Sequence, residues 1–373
     1  MSNYVEPESG ALYPLLPPRW ASDDLRPLMI SALPGLARTE IVSERRSLWR
    51  YAGALPFAVE PVTMGEGLTP LIARDWDGAR PLFKLEWMSP TGSFKDRGAS
   101  VMLSLLRAQG VRRVLEDSSG NGGAAVAAYA AAAGMKAKIL VPAYTPAAKT
   151  VQMRAYGAEI ELLPGTRQDT SDAAVRQAQD IFYASHNWQP FFLQGTKTLA
   201  YELWEDLGFR APDHVVIPTG AGSNVLGCDI GFSELLRRGE IDKLPRLHAA
   251  QPENCAPFAQ AFATGSALCP EIEARPTIAE GTAIARPVRP REVLAAIRRC
   301  GGSSLGVSEA EIEAACRELA LSGLYAEPTS AVAAAGLSRL LRSGAIGRDE
   351  TVVVVLTGGG LKATQRWGEW VST

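Results

Sequence analysis

Short apolar runs alternate along most of this chain with longer stretches that carry apolar residues at helical spacing. Arg80–Glu86 predicts a strand, and Lys95–Gln109 a helix that stops at Gly110. Arg113–Asp117 predicts the next strand. Ser118-Ser119-Gly120-Asn121 follows as a turn, and an Ala-rich helix then runs to Ala133 with Gly134 as its stop. The alternation continues through a strand at Lys138–Val141, a helix over Lys149 and Met153, and strands at Glu159–Leu163 and His214–Ile217. Helices are expected at Glu311–Leu321 and Ser330–Leu341, and the β-branched run Thr351–Leu356 ends in Thr357-Gly358-Gly359-Gly360. Such alternation implies an α/β protein with mostly parallel, twisted sheets flanked by helices, in which ligands bind beyond the carboxyl ends of strands. Residues 1–60 depart from the pattern: they are rich in Pro and Arg, show little periodicity and are expected to form an extended arm.

Composition narrows the function classes. The chain has 373 residues, too many for one ordinary core, so two domains are expected. Lys plus Arg is 38 and Asp plus Glu is 40, which gives no electrostatic case for nucleic acid or an acidic membrane surface. Cys228, Cys255, Cys269, Cys300 and Cys316 are scattered and form no CxxC pair, which argues against a disulfide framework or metal site and for a reducing compartment. Met1–Leu12 has no apolar core of the secretory type, and the most apolar windows are too short to cross a bilayer. A cytoplasmic enzyme is the expectation.

Four segments carry candidate chemistry. In Ser89-Pro90-Thr91-Gly92-Ser93-Phe94-Lys95-Asp96-Arg97-Gly98, a lysine opens a helix, where the partial positive charge disfavours an ammonium. A neutral lysine is a nucleophile able to form an imine with an aldehyde, although position alone fits a solvated surface lysine better. Ser118–Gly123 opens a helix with free backbone N–H groups suited to a carboxylate or ring oxygen, or is an ordinary capped turn. Thr219-Gly220-Ala221-Gly222-Ser223-Asn224 lies between strand and helix and can cradle a phosphate. It matches a dinucleotide fingerprint poorly, because no third glycine falls at the needed spacing, and it lacks the Lys-Ser or Lys-Thr of a P-loop. Leu356–Lys362 places a hydroxyl at a strand end, where it can hydrogen-bond a heterocyclic nitrogen, or is a simple terminating turn.

The order of these four segments resembles the fold-type-II pyridoxal phosphate (PLP) enzymes, the family of tryptophan synthase β, cysteine synthase, serine and threonine dehydratases and threonine synthase. The resemblance covers about Gly65 to Lys362 and lies nearest to threonine synthase. That likeness is carried by Gly65–Leu71, Pro90–Gly98, Gly195–Glu202, Glu327–Ala331 and Leu356–Lys362, with Leu48-Trp49-Arg50-Tyr51 in the arm. It implies a small domain at 85–190, a large domain at 61–84 plus 191–373, an active site in the cleft between them, and a homodimer.

The resemblance also implies roles. Lys95 would hold PLP as a Schiff base and act as base and acid at the substrate Cα, with Phe94 beside the ring. Asn121 would bond the phenolic oxygen, Gly220, Ala221, Gly222, Ser223 and Asn224 the phosphate, and Thr357 the pyridine nitrogen. A neutral Thr there makes the ring a weaker electron sink and favours routes that expel a leaving group quickly. Ser118, Ser119 and Gly120 would hold the substrate carboxylate, and Glu280 would lie on a loop facing the ring or on the surface.

One stretch departs from the threonine synthase pattern. Those enzymes carry an Asn-Ser pair and an Arg that grip a substrate phosphate, where this chain has His186-Asn187 and Phe192. Losing a bidentate donor costs affinity for a phosphorylated substrate. Trp188, Phe191 and Phe192 imply either a different or more apolar substrate pocket or the packing of a domain interface. The expected activity is PLP-dependent elimination or replacement on an amino acid, threonine synthase-like. Dehydration of serine or threonine and β-replacement are rivals within the class. A nucleotide-dependent oxidoreductase using the Gly220 loop and a catalytically silent relative are rivals outside it.

Overall fold

A computed structural model describes residues 2–372. The chain divides into two compact units. The first takes the chain up to Gly67 together with Lys95–Thr198, and the second takes Leu68–Phe94 and the chain from Leu199 onward.

The first unit is built on a four-stranded parallel sheet in the order Glu159–Leu163, Lys136–Pro142, Arg113–Glu116 and Phe182–Tyr183. Helix Lys95–Ala108 runs on to Gly110, whose φ of +90° a residue with a side chain would adopt only under strain. Helix Asn121–Ala132 is buried over Gly122–Ala130, and its alanines let neighbouring backbone approach closely. The arm carries a small antiparallel sheet of Asn3–Val5, Leu12–Pro14 and Met29–Ile30. Its Tyr4, Leu28, Leu48 and Trp49 share one apolar core with Val101, Leu105, Val126 and Ala130, so the arm completes this unit's own core.

Glu66 ties the arm's end into that core. It is fully buried, and its Oε1 accepts from Trp49 Nε1 at 3.0 Å and from Ser100 Oγ at 2.6 Å. Its Oε2 accepts from Tyr129 O–H at 2.8 Å and from Met64 N–H at 2.9 Å.

The second unit holds a six-stranded sheet in the order Ser303–Val307, Arg246–Pro252, His214–Pro218, Val352–Leu356, Leu82–Leu85 and Leu71–Ala73. All neighbours are parallel except the last pair, where Leu71–Ala73 closes the edge antiparallel to Leu82–Leu85. The central strands His214–Pro218 and Val352–Leu356 are buried at every position, which is why they read as unbroken apolar runs. Buried Lys84 is satisfied by Glu202 Oε1 at 2.7 Å, Asp206 Oδ2 at 2.6 Å and the Thr69 carbonyl at 2.7 Å. Glu202 in turn accepts the backbone N–H groups of Leu68 and Thr69 at 2.8 and 2.9 Å. Two segments that carry the family likeness are thus spent on holding this unit together.

Replacing Glu66 by Ala leaves the Tyr129 O–H without its acceptor and the Trp49 N–H with Ser100 Oγ as its remaining acceptor. The E66A variant is expected to lose about 3 kcal/mol of unfolding free energy, and E66Q less, as read from urea denaturation monitored by tryptophan fluorescence.

Candidate functional site

In the second unit, the carboxyl ends of parallel strands lead directly into two of the four segments. Strand His214–Pro218 leads through Thr219–Gly222 into the helix Ser223–Arg237. Gly222 caps that helix with φ +92°, and a Cβ there would collide with the side chain of Val293. A Cβ on Gly220 would come within 3.1 Å of the Gly281 carbonyl oxygen. Gly222 is required by both its φ and its contact, Gly220 is tightly packed, and the loop leads into the N-terminus of a 15-residue helix, whose first N–H groups lack intrahelical acceptors. Asn224 lies in the first turn of that helix. It is buried, yet neither its Oδ1 nor its Nδ2 has a protein partner. A buried amide without partners costs free energy unless a ligand satisfies it. Backbone N–H groups, an orphaned amide and the Ser223 hydroxyl make a donor set that fits a phosphate.

Strand Val352–Leu356 leads into Thr357, buried with its Oγ1 at 3.2 Å from Ser330 Oγ. Ser330 Oγ also accepts the Gly358 N–H at 2.7 Å and donates to the Gly358 carbonyl at 2.8 Å, which fixes the Thr-Gly turn. This hydroxyl pair suits a neutral heterocyclic nitrogen and carries no charge to protonate it. Phe94 donates its N–H to the Thr357 carbonyl at 2.9 Å, and Ser93 bridges to Gly358. The short helix Glu280–Thr282 lies against the Gly220 loop through Gly281, whose N–H donates to Thr329 Oγ1 at 3.1 Å, while the Glu280 side chain is exposed.

In the first unit, Lys95 is the first residue of helix Lys95–Ala108 and is half-buried. Its Nζ lies 5.7 Å from the centroid of the Phe192 ring. Lys197, in the Gly195–Glu202 segment, is fully buried and donates to the Ala54 carbonyl at 2.6 Å. Strand Arg113–Glu116 leads through Asp117 into Ser118–Gly120, and helix Asn121–Ala132 opens behind them. Ser118 is buried, Ser119 half-buried and Gly120 exposed, and Ser118 Oγ accepts the Gly120 N–H at 3.3 Å. A Cβ on Gly123 would collide with the Ser118 carbonyl, so the turn closes only with glycine there.

Of the three aromatics expected at a pocket or a domain interface, two pack within the first unit itself. Trp188 packs on Trp20, with ring centroids 5.5 Å apart, and Phe191 on Tyr4, also at 5.5 Å. Phe192 alone stands beside Lys95, and its ring occupies the space that a Cβ on Gly98 would need. Next to it lies a buried pair that sequence patterns do not disclose. Glu116 Oε2 accepts the His186 backbone N–H at 3.0 Å, and its Oε1 lies 2.9 Å from His186 Nδ1. Burial pushes the Glu116 carboxyl up to about 7, against the opposing pull of the His186 N–H and the Lys95 charge. Burial, reinforced by Lys95, holds the His186 imidazole well below its ordinary range, with Asp117 opposing. Ser330 was equally hidden: it sits in Glu327–Ala331, but only the fold brings its hydroxyl to Thr357.

Comparison with known proteins agrees with this geometry. A family described as pyridoxal-phosphate dependent enzyme matches residues 62–358. The threonine synthase of Methanosarcina acetivorans is 39% identical over 87% of this chain and 82% of its own length. That of Methanocaldococcus jannaschii is 36% identical over 84% of this chain and 80% of its own. Among solved structures, maize serine racemase superposes with a TM-score of 0.69 at 22% identity, covering 82% of this chain and 92% of that one, a likeness of fold. The chain belongs to the fold-type-II pyridoxal-phosphate-dependent enzymes, as a PLP-dependent lyase of elimination or replacement chemistry on an amino acid, similar to threonine synthase.

Proposed function

We propose that the enzyme catalyses a threonine synthase-like elimination and replacement on an amino acid whose side chain carries a leaving group, with Lys95 as the cofactor lysine. The observation that carries the assignment of Lys95 is its place: it follows Phe94, whose N–H is bonded to Thr357 at the end of the central strand, and it opens the helix Lys95–Ala108. Lys84 and Lys197 are committed to fixed buried partners and are poorly suited to the task.

PLP, when bound, supplies an electron-withdrawing ring that stabilises negative charge at the substrate Cα. Lys95 would hold the cofactor through its ε-amino group and then move the proton at Cα, first as base and then as acid. Asn121 would donate to the phenolic oxygen. Gly220, Ala221, Gly222, Ser223 and Asn224 would bind the phosphate through N–H groups and side chains, and the orphaned Asn224 amide supports this use. Thr357, held by Ser330, would meet the pyridine nitrogen with a neutral hydroxyl. Ser118, Ser119 and Gly120 would receive the substrate carboxylate ahead of the helix at Asn121. Phe94 would flank the ring, Phe192 would form part of the substrate wall, and Glu280 would sit at its rim.

A cytoplasmic homodimer is the setting we propose. The free state of Cys228, Cys255, Cys269, Cys300 and Cys316 supports a reducing compartment. Light scattering at the mass of two 39.8 kDa chains is the expected result for the oligomer.

With amino acids bearing hydroxyl, acyl or phosphate leaving groups, the purified enzyme is expected to form threonine or a 2-oxo acid with ammonia, each detectable by chromatography. K95A is expected to lose at least about a thousandfold in kcat. Asn224→Asp places a carboxylate where the phosphate is proposed to bind, and is expected to weaken PLP affinity at least about tenfold with little change in unfolding midpoint, as read by fluorescence titration. Unchanged PLP affinity in that variant would remove the loop from the cofactor site.

A further inference from the structure

Beside Lys95, the first unit presents a wall made of three groups. Phe192 is fully buried, and the face of its ring lies within reach of the Lys95 ammonium. His186 meets the Phe192 ring edge-on, with centroids 5.8 Å apart and planes at 64°. The same imidazole lies against Gly122 in the Ser-Gly-Asn turn, where a Cβ would come within 2.7 Å of Nδ1 and Cε1. Behind it, the fully buried Glu116 carboxyl takes both the His186 N–H and Nδ1, so the ring cannot rotate without breaking a buried bond.

This leaves one polar atom unspent. The His186 side chain is 7% exposed, and its Nε2 has no hydrogen-bond partner among the described residues. With Glu116 ionised, Nδ1 carries the proton and donates to the carboxylate, so Nε2 is a lone-pair acceptor. With Glu116 protonated and donating to Nδ1, Nε2 becomes a donor instead. The charged and titratable groups that act on the pair are Lys95 from helix Lys95–Ala108, Arg167 from helix Arg167–Gln177, Asp117 at the end of strand Arg113–Glu116, and Tyr183 from strand Phe182–Tyr183. Tyr183 O–H and Ser185 O–H both donate to Asp117 Oδ1, at 2.8 and 3.1 Å, so Asp117 is held in place by its own partners.

We propose that His186 is a specificity-determining residue whose Nε2 binds an uncharged hydrogen-bonding group on the substrate side chain, such as a hydroxyl, with the buried Phe192 ring and Glu116 as the positioning groups behind it. The proposal rests on the reading of Lys95 as the cofactor lysine. With Glu116 ionised, a phosphate dianion would meet a lone pair backed by a carboxylate, which disfavours it. A neutral hydroxyl meets a fixed acceptor to which it can donate. Burial places the Glu116 ionisation at about 7, so the acceptor state of Nε2 is populated as pH rises through that value. Preference for a hydroxyl over a phosphate dianion therefore sharpens as pH rises and Glu116 ionises, because a hydroxyl can donate to the lone pair whereas the dianion can only accept.

The test is a titration of the PLP-loaded enzyme with L-serine, L-homoserine and O-phospho-L-homoserine, reading the change in the visible band of bound PLP. The wild type is expected to bind at least one uncharged amino acid about tenfold or more tightly than O-phospho-L-homoserine. His186→Phe keeps the ring packing and is expected to weaken that binding about fivefold or more, with the free-enzyme band unchanged; His186→Asn, which restores a carbonyl acceptor, recovers part of the loss. Glu116→Gln, which removes the ionisable carboxyl, is expected to abolish the pH dependence of that preference. Tighter binding of O-phospho-L-homoserine, no response to any uncharged amino acid, or unaltered affinity in His186→Phe would overturn the proposal. A wild type that takes up no PLP on Lys95 would instead bring down the reading on which it rests.

Discussion

One backbone hydrogen bond, from Phe94 N–H to the Thr357 carbonyl, fixes the residue that immediately precedes the lysine proposed to hold the cofactor. Val352–Leu356 is a central strand, buried throughout and paired on both sides, so its carboxyl end is a rigid point. Thr357 continues it, fixed by Ser330, and Phe94 is tied to Thr357. The next residue is Lys95, which opens a helix. A lysine that follows a fixed residue and opens a helix has a backbone held in place, which suits the proposed role of holding a cofactor.

The buried polar groups fall into two kinds. Glu66, Lys84 and Glu202 are surrounded by short bonds to the backbone and to other side chains, and their work is structural. Asn224 is buried with neither side-chain polar atom answered among the described residues, and the His186 side chain is nearly buried beside Phe192. Asn224 differs from other unanswered buried atoms in that both ends of its amide are orphaned, in the first turn of a helix that follows a strand end.

Much of this was legible in the sequence because the signals were local. Lys95–Ala108, Arg113–Glu116, Asn121–Ala132, His214–Pro218 and Val352–Leu356 fall within a few residues of their expected limits, since Gly110, the Ser-Gly-Asn turn and the Gly220 loop punctuate them. The same punctuation marked the segments proposed to bind the cofactor. What escaped was non-local or too short to show a period. The arm strands have two or three residues each, and Phe182–Tyr183 has two, too few for alternation. Strand Arg246–Pro252 opens on an exposed Arg and carries His and Gln among its buried positions, so it did not read as an apolar run. Glu116 and His186 are 70 residues apart, and nothing in either neighbourhood points to the other. Trp188, Phe191 and Phe192 looked alike in sequence, and only their packing separates two residues facing Trp20 and Tyr4 from the one facing Lys95.

The central claim is that Lys95, and no other lysine, carries the cofactor. Borohydride reduction of the PLP-loaded enzyme followed by peptide mass mapping tests it directly. The account predicts loss of the visible band and a reduced pyridoxyl group on the Lys95 peptide alone. A label on Lys84, Lys197 or Lys362, or a retained band with Lys95 unmodified, would contradict it.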